Sequence, residues 1–165
     1  MPLAQRLRRT PAAGRDAALI VVGLRRVVRA LELFSRDVLK SYGLTAPQLW
    51  ALKTLARAGP LTTGELAREL LVHQSSTSLL LDRLEARGLV RRVRRRDDRR
   101  YVRVELTDRG TTLAAQAPAP AQGRLLHALS ALPAGRVRQI RRAIDYLVGA
   151  MEAEDVEARF FFAEG

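Results

Sequence analysis

The chain contains no cysteine. Disulfides, a thiol redox switch and zinc sites built on thiolates are therefore excluded. Histidine is almost as scarce: His73 and His127 stand far apart in no metal-ligand spacing, so no metal is expected. His127, beside Leu126 on an apolar helical stretch, reads as structural. The chain has no glycine-rich phosphate loop, no nucleophile elbow and no HExxH. Glu65 and Glu69 lie four apart on one helix, but capping and solvated surface account for them better than acid–base work. Neither an enzyme nor a cofactor is expected. Long apolar runs are missing as well, with none approaching the roughly eighteen residues of a membrane helix. The basic opening MPLAQRLRRTPAAGR lacks the apolar centre of a secretory signal. The expected place is the cytoplasm, with the nucleoid, and no membrane partner. Acid is the last shortage: 17 acidic residues against 29 basic ones leave a net charge of +12. Such a surplus points first to a polyanion, and nucleic acid is the commonest soluble one. The richness in Arg, Ala and Leu also fits a GC-rich genome, which weakens the argument from charge alone.

At 165 residues the chain can build one core, and 47% hydrophobic content with 28% charged residues is ordinary for a folded protein. Residues 1–16 are aperiodic and basic and read as a flexible arm, with contact to a nucleic-acid backbone as the alternative. A long helix is expected over 17–41, where Ile20, Leu24, Val27, Leu31, Phe34 and Val38 step by four and three. This seam can bury against the chain's own helices or against a second copy. Gly43 ends it, and Thr45 with Gln48 has capping-box spacing for a helix that closes at Gly59-Pro60. After the central stretch, Thr107 caps a further helix that Pro118 and Pro120 should kink or interrupt. Leu125, Leu126, Leu129 and Leu132 then restore an apolar face. A last helix begins near Pro133 with Val137, Ile140, Ile144, Leu147 and Met151 on one side. The phenylalanines at 160–162 would be an exposed liability unless they pack on something.

The central stretch, 61–107, carries the functional reading. Thr62 and Glu65 form a second capping-box spacing, starting a helix that turns Leu66, Ala67 and Leu70 inward. A second helix over 72–87 follows, anchored by its leucines and stopped by Gly88. Its first turns are polar: His73, Gln74, Ser75, Ser76, Thr77, Ser78. In a helix-turn-helix this segment meets base edges, and Gln74 can bond an adenine bidentately while Ser75 and Ser78 reach bases or phosphates. The alternative is a helix start that merely favours small capping residues. Then the period changes to two, with strands over 89–94 and 102–106 joined by a long projecting loop. Between Arg91 and Arg100 seven of ten residues are arginine, with Asp97 and Asp98 together at the tip. A charge run is most often just solvated surface. Beside a recognition helix, arginines at a wing tip can enter a narrow minor groove, and Asp98 can orient Arg100. The remaining arginines would contact phosphate. The candidate DNA contacts are His73, Gln74, Ser75, Ser76 and Ser78 with Arg83, and on the wing Arg94, Arg95, Arg96, Asp98 and Arg100.

The run LTAPQLWALKTLARAGPLTTGELARELLVHQSSTSLLLDRLEARGLVRRVRRRDDRRYVRVELTDRG resembles the MarR family of bacterial winged helix-turn-helix regulators, over about residues 17–151. Its most specific parts are LLLDRLEARGLV and the Asp98-x-Arg100 wing element. The resemblance implies a mainly α fold with a small β-wing. The winged helix-turn-helix at 44–106 would be flanked by dimerisation helices at 17–43 and 107–165. It implies a homodimer on a palindromic operator in double-stranded DNA, usually repression, and release by a small aromatic or phenolic effector. Tyr42 and Trp50 are the candidate effector contacts, core packing being their alternative. The chain departs from the family pattern at His73, where a small capping residue is common, and at Pro118 and Pro120. From a different class, a sequence-neutral architectural protein coating DNA through its arginines is the alternative function.

Overall fold

Why the chain folds as it does follows from local signals that mostly agree. The computed structural model describes residues 12–94 and 102–156. Helix α1 (Ala12–Tyr42) is followed by α2 (Ala46–Ala58), α3 (Thr63–Leu70) and α4 (Gln74–Ala86). A hairpin of β1 (Val90–Arg94) and β2 (Val102–Leu106) leads to α5 (Asp108–Gln116), α6 (Ala121–Ser130) and α7 (Ala134–Ala150). The fold is mainly α with a two-stranded antiparallel wing, as expected from the periodicities.

Both capping boxes form. Thr45 accepts from the Gln48 amide while Gln48 accepts from the Thr45 amide, and Thr62 and Glu65 reciprocate in the same way. Each box satisfies orphan donors of a first turn, worth about 1 kcal/mol. Gly43 and Gly88 take positive φ, 61° and 65°, the left-handed stops that let α1 and α4 end abruptly. The helix expected over 17–41 begins earlier, at Ala12. Ala12, Ala13, Ala17 and Ala18 are strong helix formers, and Pro11 stands just ahead, where a helix start tolerates it. The helix after Thr107 is interrupted and not merely kinked. Ala117, held extended (ψ 150°) by the following Pro118, ends α5, and α6 starts after Pro120.

The core lies between α2, the helix-turn-helix and the wing. Leu44, Leu49, Leu52, Leu66, Leu81, Leu84, Leu89 and Val104 are fully buried. Strand register pairs Val90 with Leu106, Arg92 with Val104 and Arg94 with Val102. Leu61 bridges Val104 by two backbone hydrogen bonds of 3.1 and 2.7 Å, which ties the wing to the segment before α3.

The α1 seam divides. Leu31 and Val38 are buried, whereas Ile20, Leu24 and Val27 are about half exposed. In α7 no residue is buried, and Ile140, Ile144, Tyr146 and Met151 face outward. Leu125, Leu126 and Leu132 are exposed too, and so is His127. Among the described residues no helix is long and apolar enough to cross a membrane. Of the arm expected over 1–16, residues 12–16 belong to α1 instead; residues 1–11, the wing tip and the phenylalanines at 160–162 lie outside the described residues.

Candidate nucleic-acid interface

Helix α4 is held by its back. Thr77, Leu80, Leu81 and Leu84 are buried, positions that share one face at helical spacing. The opposite face is free: Ser75, Leu79 and Arg83 are exposed on it, with Ser76 and Ser78 half-buried at its flanks. His73 and Gln74, one residue before and at the start of the helix on the side of Leu80 and Leu81, are exposed because no further turn covers them. Of the polar opening run, only Thr77 turns inward, where its Oγ1 donates to the His73 carbonyl at 3.2 Å. The leucines following Ser78 were expected to anchor the helix. Leu80 and Leu81 do so, but Leu79 is 55% exposed. At 100° per residue three successive leucines cannot all face one side.

The turn between α3 and α4 is made by Leu71 in the left-handed region (φ 57°), with its amide bonded to Ala67 and Arg68 carbonyls. His73 occupies the N-cap position of α4 and makes no side-chain cap bond. The first amides of α4 thus keep their donors toward solvent. A shallow groove of about 400 Å³ runs beside them, lined by Thr62, Glu65, Arg68, Val72, His73 and Gln74. Arg68 adds a cation there that the sequence reading passed over.

The wing is fixed to α4 by charge. Arg92 donates to Asp82 at 2.6 Å and to Glu85, and its backbone amide donates to Glu85 at 3.1 Å. The two carboxylates hold the Arg92 guanidinium above its ordinary pKa, chiefly through the bond to Asp82. With side chains between 28% and 56% exposed, the cluster contributes only about 1 kcal/mol, but it fixes the angle of the hairpin. Across the strands Arg91 Nε donates to Glu105 at 2.6 Å. Arg91 and Arg92, expected among the phosphate contacts, are therefore matched by carboxylates within the fold. Arg94 is exposed at the end of β1. Arg95, Arg96, Asp98 and Arg100 lie outside the described residues, and with them the expected Asp98–Arg100 pairing.

Tyr42 and Trp50 sit elsewhere, at the junction of α1, α2 and α5. Trp50 belongs to the core at 8% exposure, and the half-buried Tyr42 hydroxyl donates to the Gln116 carbonyl at 3.3 Å. Among the described residues no group of His, Asp and Glu is arranged to hold a metal ion.

Comparison with known proteins agrees with this geometry. A family model described as the MarR family matches residues 42–100. YsmB of Bacillus subtilis (strain 168), an uncharacterised HTH-type transcriptional regulator, is 36% identical over 87 residues, or 53% of this chain and 60% of that one. The chain spans 60% of the length of YsmB and 48% of that of the HTH-type transcriptional repressor MdtR from the same organism. Among solved structures, a MarR family protein from Bacillus stearothermophilus is 31% identical with a TM-score of 0.52, over 84% of this chain and 96% of its own. Reduced AbfR, solved bound to DNA, is 25% identical with a TM-score of 0.54, over 84% and 95% of the two chains. On the sequence and the fold together, this chain belongs to the MarR family.

Proposed function

We propose that the chain is a sequence-specific DNA-binding transcriptional regulator: a repressor that acts as a homodimer on an inverted-repeat operator and is released by a small aromatic or phenolic ligand. The observation that carries this reading is the exposed start and free face of α4, which offer Gln74 from the first and Ser75 and Arg83 from the second, on a helix whose back is packed with leucine. A helix held in that way can enter a major groove with its polar start on the base edges. In this reading Arg94, exposed at the end of β1, reaches phosphate beside the groove.

The homodimer is supported by the open faces of α1 and α7. Exposed apolar residues gathered on two helices in this way suit an interface. A second copy suits it, because a two-fold axis brings each such face onto its equivalent. For the ligand, the support is the two aromatic rings alone, Tyr42 at the end of α1 and Trp50 in α2, whose chemistry suits an aromatic guest. The cytoplasm and the nucleoid are the corresponding location.

Gel shifts with the DNA upstream of the chain's own gene test the reading, together with mass measurement in solution. The expected result is a discrete complex that survives excess competitor DNA, formed by two copies. A smear titrated equally by any duplex would sink it and favour the architectural alternative, for which the net charge of +12 speaks. Gln74→Ala separates the two: it weakens only specific binding, whereas Arg95→Ala and Arg96→Ala weaken both kinds and lower the salt slope.

A further inference from the structure

Leu79 has no packing role that explains it. It stands in the middle of the free face of α4, four residues after Ser75 and four before Arg83, and is 55% exposed. Residues at this spacing line up along one side of a helix, about one turn apart. The side chain directly between a hydroxyl and a guanidinium is thus a branched aliphatic one. Neither helix capping nor the core uses it, and a polar residue there would suit a solvated surface better.

Within a major groove only one feature of the base edges is apolar, the C5-methyl group of thymine. We infer that Leu79 is a specificity-determining residue that reads a thymine methyl in each half-site. This rests on the proposed entry of α4 into the major groove. Ser75 and Arg83 then flank the contact and hold the helix in register by hydrogen bonds. Leu79 discriminates by burying apolar surface that cytosine, lacking the methyl, cannot match.

The test uses the full chain and a duplex recovered from a random-sequence library by repeated binding selection with the unaltered protein. Deoxyuridine replaces thymidine at one symmetry-related pair of positions at a time, which deletes the methyl and leaves pairing intact. At one such pair the affinity of the unaltered protein should fall by about fourfold per half-site, the value of one buried methyl. Leu79→Ala should bind the selected duplex more weakly and be indifferent to that replacement. Leu79→Met, which keeps an apolar side chain of similar reach, should stay sensitive. Thermal midpoints of both variants should match the original, since the position is at the surface.

If no deoxyuridine position matters to the unaltered protein, or if Leu79→Ala keeps the same sensitivity, the inference is overturned while specific binding stands. If selection recovers no preferred sequence, the proposed function fails and the inference fails with it.

Discussion

Arg87 Nη1 donates to the Gly43 carbonyl at 2.6 Å and reaches Gln48 Oε1 at 3.4 Å, so the end of the reading helix grips the corner between α1 and α2. Gly43 is where α1 stops, and Gln48 Oε1 also accepts the Thr45 amide in the capping box of α2. On the other side the Arg87 carbonyl accepts from Arg109, and the Gly88 carbonyl accepts from the Thr107 hydroxyl. One short segment therefore joins the long helix, the reading helix and the helix after the wing. Arg87→Ala leaves the Gly43 carbonyl without this charged donor. The expected loss is about 1–2 kcal/mol in urea unfolding, with Arg87→Lys intermediate because ammonium supplies no planar fork. An unchanged midpoint in Arg87→Ala would mean that the corner is held by packing alone.

A tighter approach occurs at Gly110. A Cβ built there would lie 1.9 Å from the Leu89 carbonyl oxygen, which also accepts the Thr107 amide at 3.1 Å. The first turn of α5 sits so close to the strand that only glycine fits. Gly110→Ala must push α5 off the wing, and a destabilisation of about 2–3 kcal/mol is expected from thermal or urea unfolding. A variant as stable as the original would contradict this contact.

The capping box at Thr62 responds to acid. Hydrogen bonds from the Thr62 backbone amide and hydroxyl hold the Glu65 carboxyl below its ordinary value of 4.5. A depressed carboxyl contributes stability that is present above its unfolded value and lost as pH falls through the folded one. Glu65→Gln can still accept the Thr62 amide but cannot titrate. The stability difference between the original chain and Glu65→Gln should therefore shrink as pH is lowered below 4.5, followed by urea midpoints at successive pH. A difference that stays constant through that range would rule out the coupling.

His73 leaves α4 without a side-chain cap. His73→Ser supplies an oxygen for the amides of the first turn and should raise stability by about 1 kcal/mol, read by thermal unfolding. If His73 also touches DNA, the same variant binds the selected duplex more weakly despite being more stable. Stability and affinity moving together would exclude such a contact.

The sequence was most readable where causes are local. Both capping boxes, the left-handed stops at Gly43 and Gly88, the change of period at the wing and the break at Pro118 and Pro120 depend on neighbours within a few residues, and each formed in the structure. Of the candidate contacts on α4, Gln74, Ser75 and Arg83 are exposed, while Ser76 and Ser78 are half-buried. What could not be read depends on partners far along the chain. Arg92 finds Asp82 and Glu85 only once the strand register is set, and Arg87 finds Gly43 across 44 positions. The division of the α1 seam was hidden too, because a heptad pattern looks the same whether α2 and α6 cover it or not. Leu79 is different: helical arithmetic over three consecutive leucines carried the signal, and treating them as one anchoring block concealed it.

The unburied face of α7 has a consequence for dosage. A chain that covers this face by finding its twin would be scarce as the active pair when few copies exist, and occupancy of a two-fold operator would then rise with the square of copy number. Halving synthesis would cut occupancy by more than half. A gene under such control would switch over a narrower range of protein abundance than one governed by a monomer.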